Sequence, residues 1–189
     1  MQERKTVLFG GLFLALVVVV AGFVWYASPD SGAELDRASV VLSQDGSSPA
    51  VAMERTAWSE GEPLEITVYM SPTCGCCGEW VTHLEEHGFE VETRLREDMF
   101  TVKESFSIPR PLASCHTGLV NGYLVEGHVP AEDIKSFLQD APDDARGLTV
   151  PAMPIGSPGM EMEGREDPYD VLIMRQDGRT TVFASHGGS

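Results

Sequence analysis

Positive charge is scarce in this 189-residue chain: 13 Lys and Arg stand against 29 Asp and Glu, a formal net charge of −16. Phosphate backbones and anionic lipid surfaces are bound through a surplus of Lys and Arg, so nucleic-acid binding and electrostatic attachment to a membrane surface are disfavoured. The acidity reads as a solubilising surface, and it also favours approach by a cation. No internal repeat is present, and only one long apolar run. Cysteine is sparse too, with four residues in all, yet three of them fall within Cys74–Cys77.

The apolar run, Val7 to Ala27, contains no charge and no proline. As a helix it reaches roughly 30 Å, the thickness of a bilayer core. Arg4 and Lys5 precede it, as in a secretory signal, but the run is long for a signal and bulky Trp25 disfavours cleavage after Ala27. An uncleaved anchor is the preferred reading, with Trp25 and Tyr26 at the outer interface. The next positive residue is Arg37, so the charge bias keeps residues 1–6 in the cytoplasm and sends the body outward. Residues 28–61, rich in Ser, Asp, Glu, Gly and Pro, read as a flexible tether, and residues 62–189 as one folded domain. Outside the cytoplasm, thiols become disulfides unless a metal or a reductant holds them.

Within the domain, Leu64 to Met70 alternates as a strand and is broken by Ser71, Pro72, Thr73 and Gly75. From Cys77, Trp80, Val81 and Leu84 recur at helical spacing up to a stop at Gly88. Phe89 to Leu95 is a second strand, completing a βαβ unit. A helical turn over Phe100 to Phe106 precedes the extended Pro109 and Pro111. Leu119 to Val125 reads as one strand interrupted by Asn121 and Gly122. Pro130 opens a helix to Gln139 with Ile134, Phe137 and Leu138 inward. An extended stretch, Leu148 to Ile155, and a hairpin of Val171–Met174 with Thr180–Phe183 finish the chain. This order resembles a thioredoxin-like α/β architecture, with a cysteine loop at the start of the first helix and Val150–Pro154 opposite the thiols.

Unpaired N–H groups and the helix dipole at that strand-to-helix junction favour thiolate, which serves both disulfide exchange and soft-ion binding. Cys74 and Cys77 form a C-x-x-C pair of the redox kind, while Cys76 adds a thiol that a simple dithiol enzyme does not need. Adjacent thiols chelate one tetrahedral zinc poorly and suit a multinuclear Cu(I) thiolate cluster better. Two disulfides are the common alternative for four exported cysteines, but that arrangement ordinarily staples distant loops. Cys115 lies in S-C-H-T beside His116, a candidate secondary ligand. His128, at a helix entrance, reads as a polar structural residue, and His83 and His87 as a solvated helix face. Met153, Met160 and Met162, in the Pro- and Gly-rich stretch VPAMPIGSPGMEM, offer soft thioethers for a secondary copper site.

The stretches SPTCGCCGEWVTHLEEHGFEV, LASCHTGLVNGYLVEGHVPAEDI and GLTVPAMPIGSPGMEM together resemble the CopG-type periplasmic copper-resistance proteins. The resemblance implies a thioredoxin-like domain of the bacterial envelope that binds copper through Cys74, Cys76, Cys77 and Cys115 and interconverts copper oxidation states. The membrane segment and long tether depart from a freely diffusing periplasmic protein, and with the charge bias they place the chain in the inner membrane with its domain in the periplasm, where a copper exporter, oxidase or chaperone is the expected partner. A thiol–disulfide oxidoreductase using Cys74 and Cys77 is the alternative from another class, and a structural zinc domain a weaker one.

Overall fold

The computed structural model describes Arg55, Trp58, Ser59 and residues 61–187. The anchor at 7–27, the segment before it and nearly all of the 28–61 tether lie outside the described residues. Among the described residues no helix is long and apolar enough to cross a membrane. Arg55 and Trp58, within the tether, nonetheless touch the domain. The Arg55 guanidinium donates to the carbonyls of Asp143 (2.9 Å) and Ala145 (2.6 Å) and lies over the Tyr123 ring, while Trp58 packs against the main core.

The architecture is a mixed α/β fold with one seven-stranded sheet in the order β2-β1-β3-β4-β5-β6-β7. β1 (Leu64–Met70) runs into α1 (Gly75–Glu86) and returns through β2 (Phe89–Leu95), which pairs with β1 in parallel as a βαβ unit requires. α2 (Met99–Ser105) follows, begun by Asp98, whose carboxylate accepts from the N–H groups of Phe100 and Thr101. A 3₁₀ turn (Arg110–Leu112) leads into β3 (Thr117–Val120), antiparallel to β1.

The single interrupted strand read over Leu119 to Val125 is two strands. β3 folds back directly onto β4 (Tyr123–Glu126) through Asn121 and Gly122, which have φ of 45° and 76°. Two successive residues at positive φ make the tight turn that matches strand twist, and Asn-Gly is the pair that adopts it with least strain. α3 (Ala131–Gln139) then crosses to β5 (Ala145–Thr149), parallel to β4, before the antiparallel β6 (Tyr169–Arg175) and β7 (Thr180–His186). The extended segment expected to reach Ile155 leaves the sheet at Thr149. Pro151 and Pro154 have no N–H to give a ladder, so the chain departs as a loop.

Side-chain alternation divides the core. Leu64, Ile66 and Val68 of β1 and Val120 and Val125 join Trp80 and Leu84 of α1 and Ile134, Phe137 and Leu138 of α3 on one face. Leu124 and Met174 turn to the other, where Ile108, Phe106 and Leu112 cover them. The cysteines sit where α1 begins, at the exit of β1.

Candidate metal centre

α1 starts two residues earlier than the apolar spacing suggested, because Gly75 and Cys76 join its first turn. Cys74 is the N-cap in extended conformation, and the Cys74 carbonyl accepts the Gly78 N–H at 3.4 Å. No side chain caps the remaining N–H groups. Three cysteines are thereby wound around one helix start. Cys74 and Cys77 are joined as a disulfide, while Cys76 and Cys115 are free. The Sγ atom of Cys76 lies 3.6 Å from that of Cys74 and 4.0 Å from that of Cys115. All four sulfurs fall within 4.8 Å of one another. The four thiols named from the sequence therefore converge, and Cys115, 38 residues beyond Cys77, is delivered by the β3–β4 hairpin.

Two histidines accompany Cys115. Its Sγ atom is 3.3 Å from Nδ1 of His116 and 3.1 Å from Nε2 of His128. His128 Nδ1 lies 2.8 Å from the Pro158 carbonyl, which can only accept; the ring therefore carries its proton on Nδ1 and turns the Nε2 lone pair to the thiol. Backbone carbonyls orient metal-binding imidazoles in this manner. His116 is fully buried and packs against Trp80, the rings tilted by 35° with centroids 4.2 Å apart, and its Nε2 has no hydrogen-bond partner among the described residues. His128, read from the sequence as a polar structural residue, thus belongs to the site. Hairpin arithmetic carries the signal: Val120 pairs with Tyr123 and Thr117 with Glu126, so two further steps set Cys115 opposite His128. Reading Asn121–Gly122 as an interruption concealed it.

Burial pushes the Cys115 thiol up to about 12, with the neighbouring Cys76 adding to the shift and the Ser114 hydroxyl opposing it. Burial also holds His116 well below the usual histidine value, helped by His128 and Lys103, and lowers His128 against the Pro158 hydrogen bond. The metal-free pocket is thus a neutral thiol facing neutral imidazoles. The thiolate expectation concerns the cysteines at the helix start; Cys115 lies on the segment entering β3 and does not share that helix terminus.

Beneath Cys115, the fully buried Glu126 carboxylate accepts from Lys103 Nζ, the Ser114 N–H and the Thr117 hydroxyl, each at 2.6 Å. The Ser114 hydroxyl donates to the Ala152 carbonyl, and the Ala152 N–H donates to the Ala113 carbonyl at 3.2 Å. The loop after β5 is clasped to the Cys115 segment in this way, with Ala152 itself at φ 62°. Its far end reaches α1. Gly159 comes so close that a Cβ there would lie 2.7 Å from the Cys76 carbonyl. Met153 and Met162 on this loop are 49 % and 50 % exposed, and Met160 is partly buried. His83 and His87 are drawn into structural roles: His83 Nε2 accepts the Ala131 N–H at 3.1 Å, and His87 Nδ1 donates to the His83 carbonyl at 2.7 Å.

A family model described as a protein of unknown function, DUF411, matches residues 112–160, the stretch holding Cys115, His116, His128, Met153 and Met160. No curated protein sequence matches the chain. Two solved structures are similar, both titled copper resistance protein copG. Form 1 shares 46 % identity over 67 % of this chain and 100 % of its own, and form 2 shares 44 % over 66 % and 99 %, each with a TM-score of 0.63. With such identity over the whole of those relatives and the motif cysteines gathered at one site, the chain belongs to the CopG family of copper-resistance proteins.

Proposed function

We propose that the protein binds Cu(I) in the cell envelope as a multinuclear thiolate cluster on Cys74, Cys76, Cys77 and Cys115, in the service of copper resistance. The observation that carries this reading is the convergence of four sulfurs within 4.8 Å at one helix start. Cys74, Cys76 and Cys77 are too closely spaced to chelate one tetrahedral ion well, whereas bridging sulfurs satisfy several Cu(I) ions. Reduction of the Cys74–Cys77 disulfide frees the other two ligands. The scaffold is read as thioredoxin-like, with a β-strand feeding a cysteine loop into α1. Residues 7–27 tether it to the inner membrane with the domain in the periplasm, where an exporter, oxidase or chaperone exchanges copper with it. The copper resistance titles of the relatives support the cargo.

The test is anaerobic Cu(I) titration of the fully reduced chain against a competing chelator. More than one tightly held Cu(I) per chain, lost in Cys76→Ser and in Cys115→Ser, is the expected outcome. A single zinc ion held with no copper capacity would overturn it.

A second reading, thiol–disulfide exchange, is favoured by the Cys74–Cys77 disulfide itself. Once a donor thiol has reduced that disulfide, the Cys74 thiolate attacks a substrate disulfide to form a mixed disulfide and expel one substrate thiolate, and Cys77 then displaces the other, re-forming Cys74–Cys77. Cys76→Ser separates the two: it cripples a copper cluster and spares the dithiol.

A further inference from the structure

Apolar exposure is unevenly placed on the domain. Among the described residues the large hydrophobic side chains left about half exposed are Leu95, Phe100, Met153, Met162 and Val182. Only Val182 lies away from the end of the sheet that carries the sulfurs. β1 and β2 run in parallel to that end, where Leu95 closes β2 and α2 begins with Phe100 in its first turn. β5 points the same way, and Met153 and Met162 stand on the loop that follows it. Single apolar side chains are ordinary on a surface, but a group of them with a polar margin marks an interaction site. We propose that this end of the domain is the docking face for a basic protein, one whose contact surface has an apolar centre ringed by Lys and Arg. Docking of this kind deepens the copper reading above by giving the chemistry of the exchanging partner, and it rests on that reading only for the partner's cargo.

Charge selects the occupant. Exposed Glu97 and Glu104 adjoin Leu95 and Phe100 along the chain, and exposed Glu161 and Glu163 flank Met162. Arg96, Arg110 and Arg165 share this end, the first two laid over the rings of Tyr69 and Phe100 at 5.7 and 5.2 Å. They leave the margin acidic, in keeping with the net charge of −16. An acidic margin draws a basic surface, and it repels both an anionic bilayer and a second copy of the same face.

The methionines are also held ready. Besides the clasp at Ala152, the Ile155 N–H donates to the Asp167 carboxylate at 3.1 Å, the Asp167 N–H to the Ile155 carbonyl at 2.8 Å and the Met160 N–H to the Ser157 carbonyl at 2.8 Å. Side chains presented on a fixed loop lose little order on contact, while the flexible thioether adapts to the surface it meets. Access is open as well. Arg55, in the tether, meets the domain at the carbonyls of Asp143 and Ala145, and the length of β5, about 15 Å, separates that point from the sulfur-bearing end. Cys74, Cys76 and Cys115 are partly exposed there, so a protein seated on this face reaches the thiols themselves.

The experiment uses the full, copper-free chain in a disc of neutral lipid, with isotopically labelled methionine methyl groups. The probe is ferrous cytochrome c, a small protein whose exposed apolar edge is ringed by lysines, beside its lysine-acetylated form, which keeps the shape and loses the charge. The native probe should shift the Met153 and Met162 methyl resonances and leave that of buried Met174 in place. It should bind at least about tenfold more tightly than the acetylated form, and more weakly as salt is added. Phe100→Ser combined with Met153→Ser, both at exposed positions, should lower affinity about tenfold, whereas Val182→Ser should not change it. Binding that the paired substitution leaves intact is attraction to net charge alone and overturns the proposal, as does the absence of any shift at Met153 and Met162. Shielding of those methyl groups from a soluble paramagnetic agent before the probe is added also overturns it. Shielding that fades on dilution assigns the face to a second copy, and shielding that persists assigns it to the bilayer. No copper takes part, so docking and copper uptake can each fail while the other holds.

Discussion

His83 shows how one residue's chemistry is set by its neighbours. Its Nε2 accepts the first N–H of α3, a helix whose N-cap, Pro130, offers no side-chain hydrogen bond. Only the neutral ring can do so. Burial lowers its pKa, with His87 acting in the same direction and Glu161, Glu86 and Glu132 opposing. A lowered folded value means that the unfolded chain takes up the proton first. The contribution is therefore complete above about 6.5, the unfolded value, and declines as pH falls below it. His83→Ala should cost about 1 kcal/mol at neutral pH, as removal of a helix-start acceptor does. Urea denaturation of wild type and variant at neutral and mildly acidic pH should show the difference shrinking in acid. The sequence disclosed the i, i+4 spacing of His83 and His87 but not this role, since the acceptor's partner is 48 residues away. Cys74, Cys76 and Cys77 were legible because their chemistry follows from adjacency alone.

Among the elements, the β3–β4 hairpin does most to assemble the site, and it was the least legible. The strand pattern over Leu119 to Val125 was visible, but the Asn121–Gly122 turn inside it was read as a flaw. With the turn misread, nothing pointed to His128 facing Cys115. The hairpin's base is anchored by Glu126, which gathers Lys103 of α2, Ser114 and Thr117. With Lys103 only 13 % exposed and Glu126 not at all, removing the carboxylate strands a buried ammonium and two further donors. Glu126→Ala should lose about 3–5 kcal/mol of stability, measurable by denaturant unfolding. Weaker copper uptake should accompany it, because Ser114 carries Cys115. The loop after β5 makes the second contribution. At Gly159, φ is +81° and a Cβ would strike both the Cys76 carbonyl and the Trp80 N–H at 2.7 Å. Gly159→Ala should lift the loop from α1 and destabilise the fold by about 1–3 kcal/mol. A shift in the His128 ring resonances would report the loosened Pro158 contact; unchanged resonances and stability would refute the clasp.

On the scale of the whole molecule, charge is the property most evident from composition. A formal net charge of −16 strains a compact fold by self-repulsion, and added salt screens it once the Debye length falls to about 10 Å near 0.1 M. The urea midpoint should therefore rise between low and moderate NaCl concentration; a flat response would show that the acids are already compensated by local pairing. The α/β class, the βαβ opening and the closing β6–β7 hairpin were all readable, since each rests on local periodicity. The order of seven strands was not, because pairing between β1 and β3 or β4 and β5 joins segments that no local pattern links.

That order leaves two unequal rims. β2 ends the sheet on one side and exposes Glu90 and Glu92, with Glu65 of β1 in register beside Glu90. A second copy laid along it would set carboxylate against carboxylate, a common safeguard against runaway strand addition. β7 ends the other side with Thr180, Thr181 and Val182 exposed, Val182 to 58 %. Its outer rim carries no comparable acid, so wherever the chain is crowded while its carboxylates stay charged, β7 is the side from which fibrous assembly would begin.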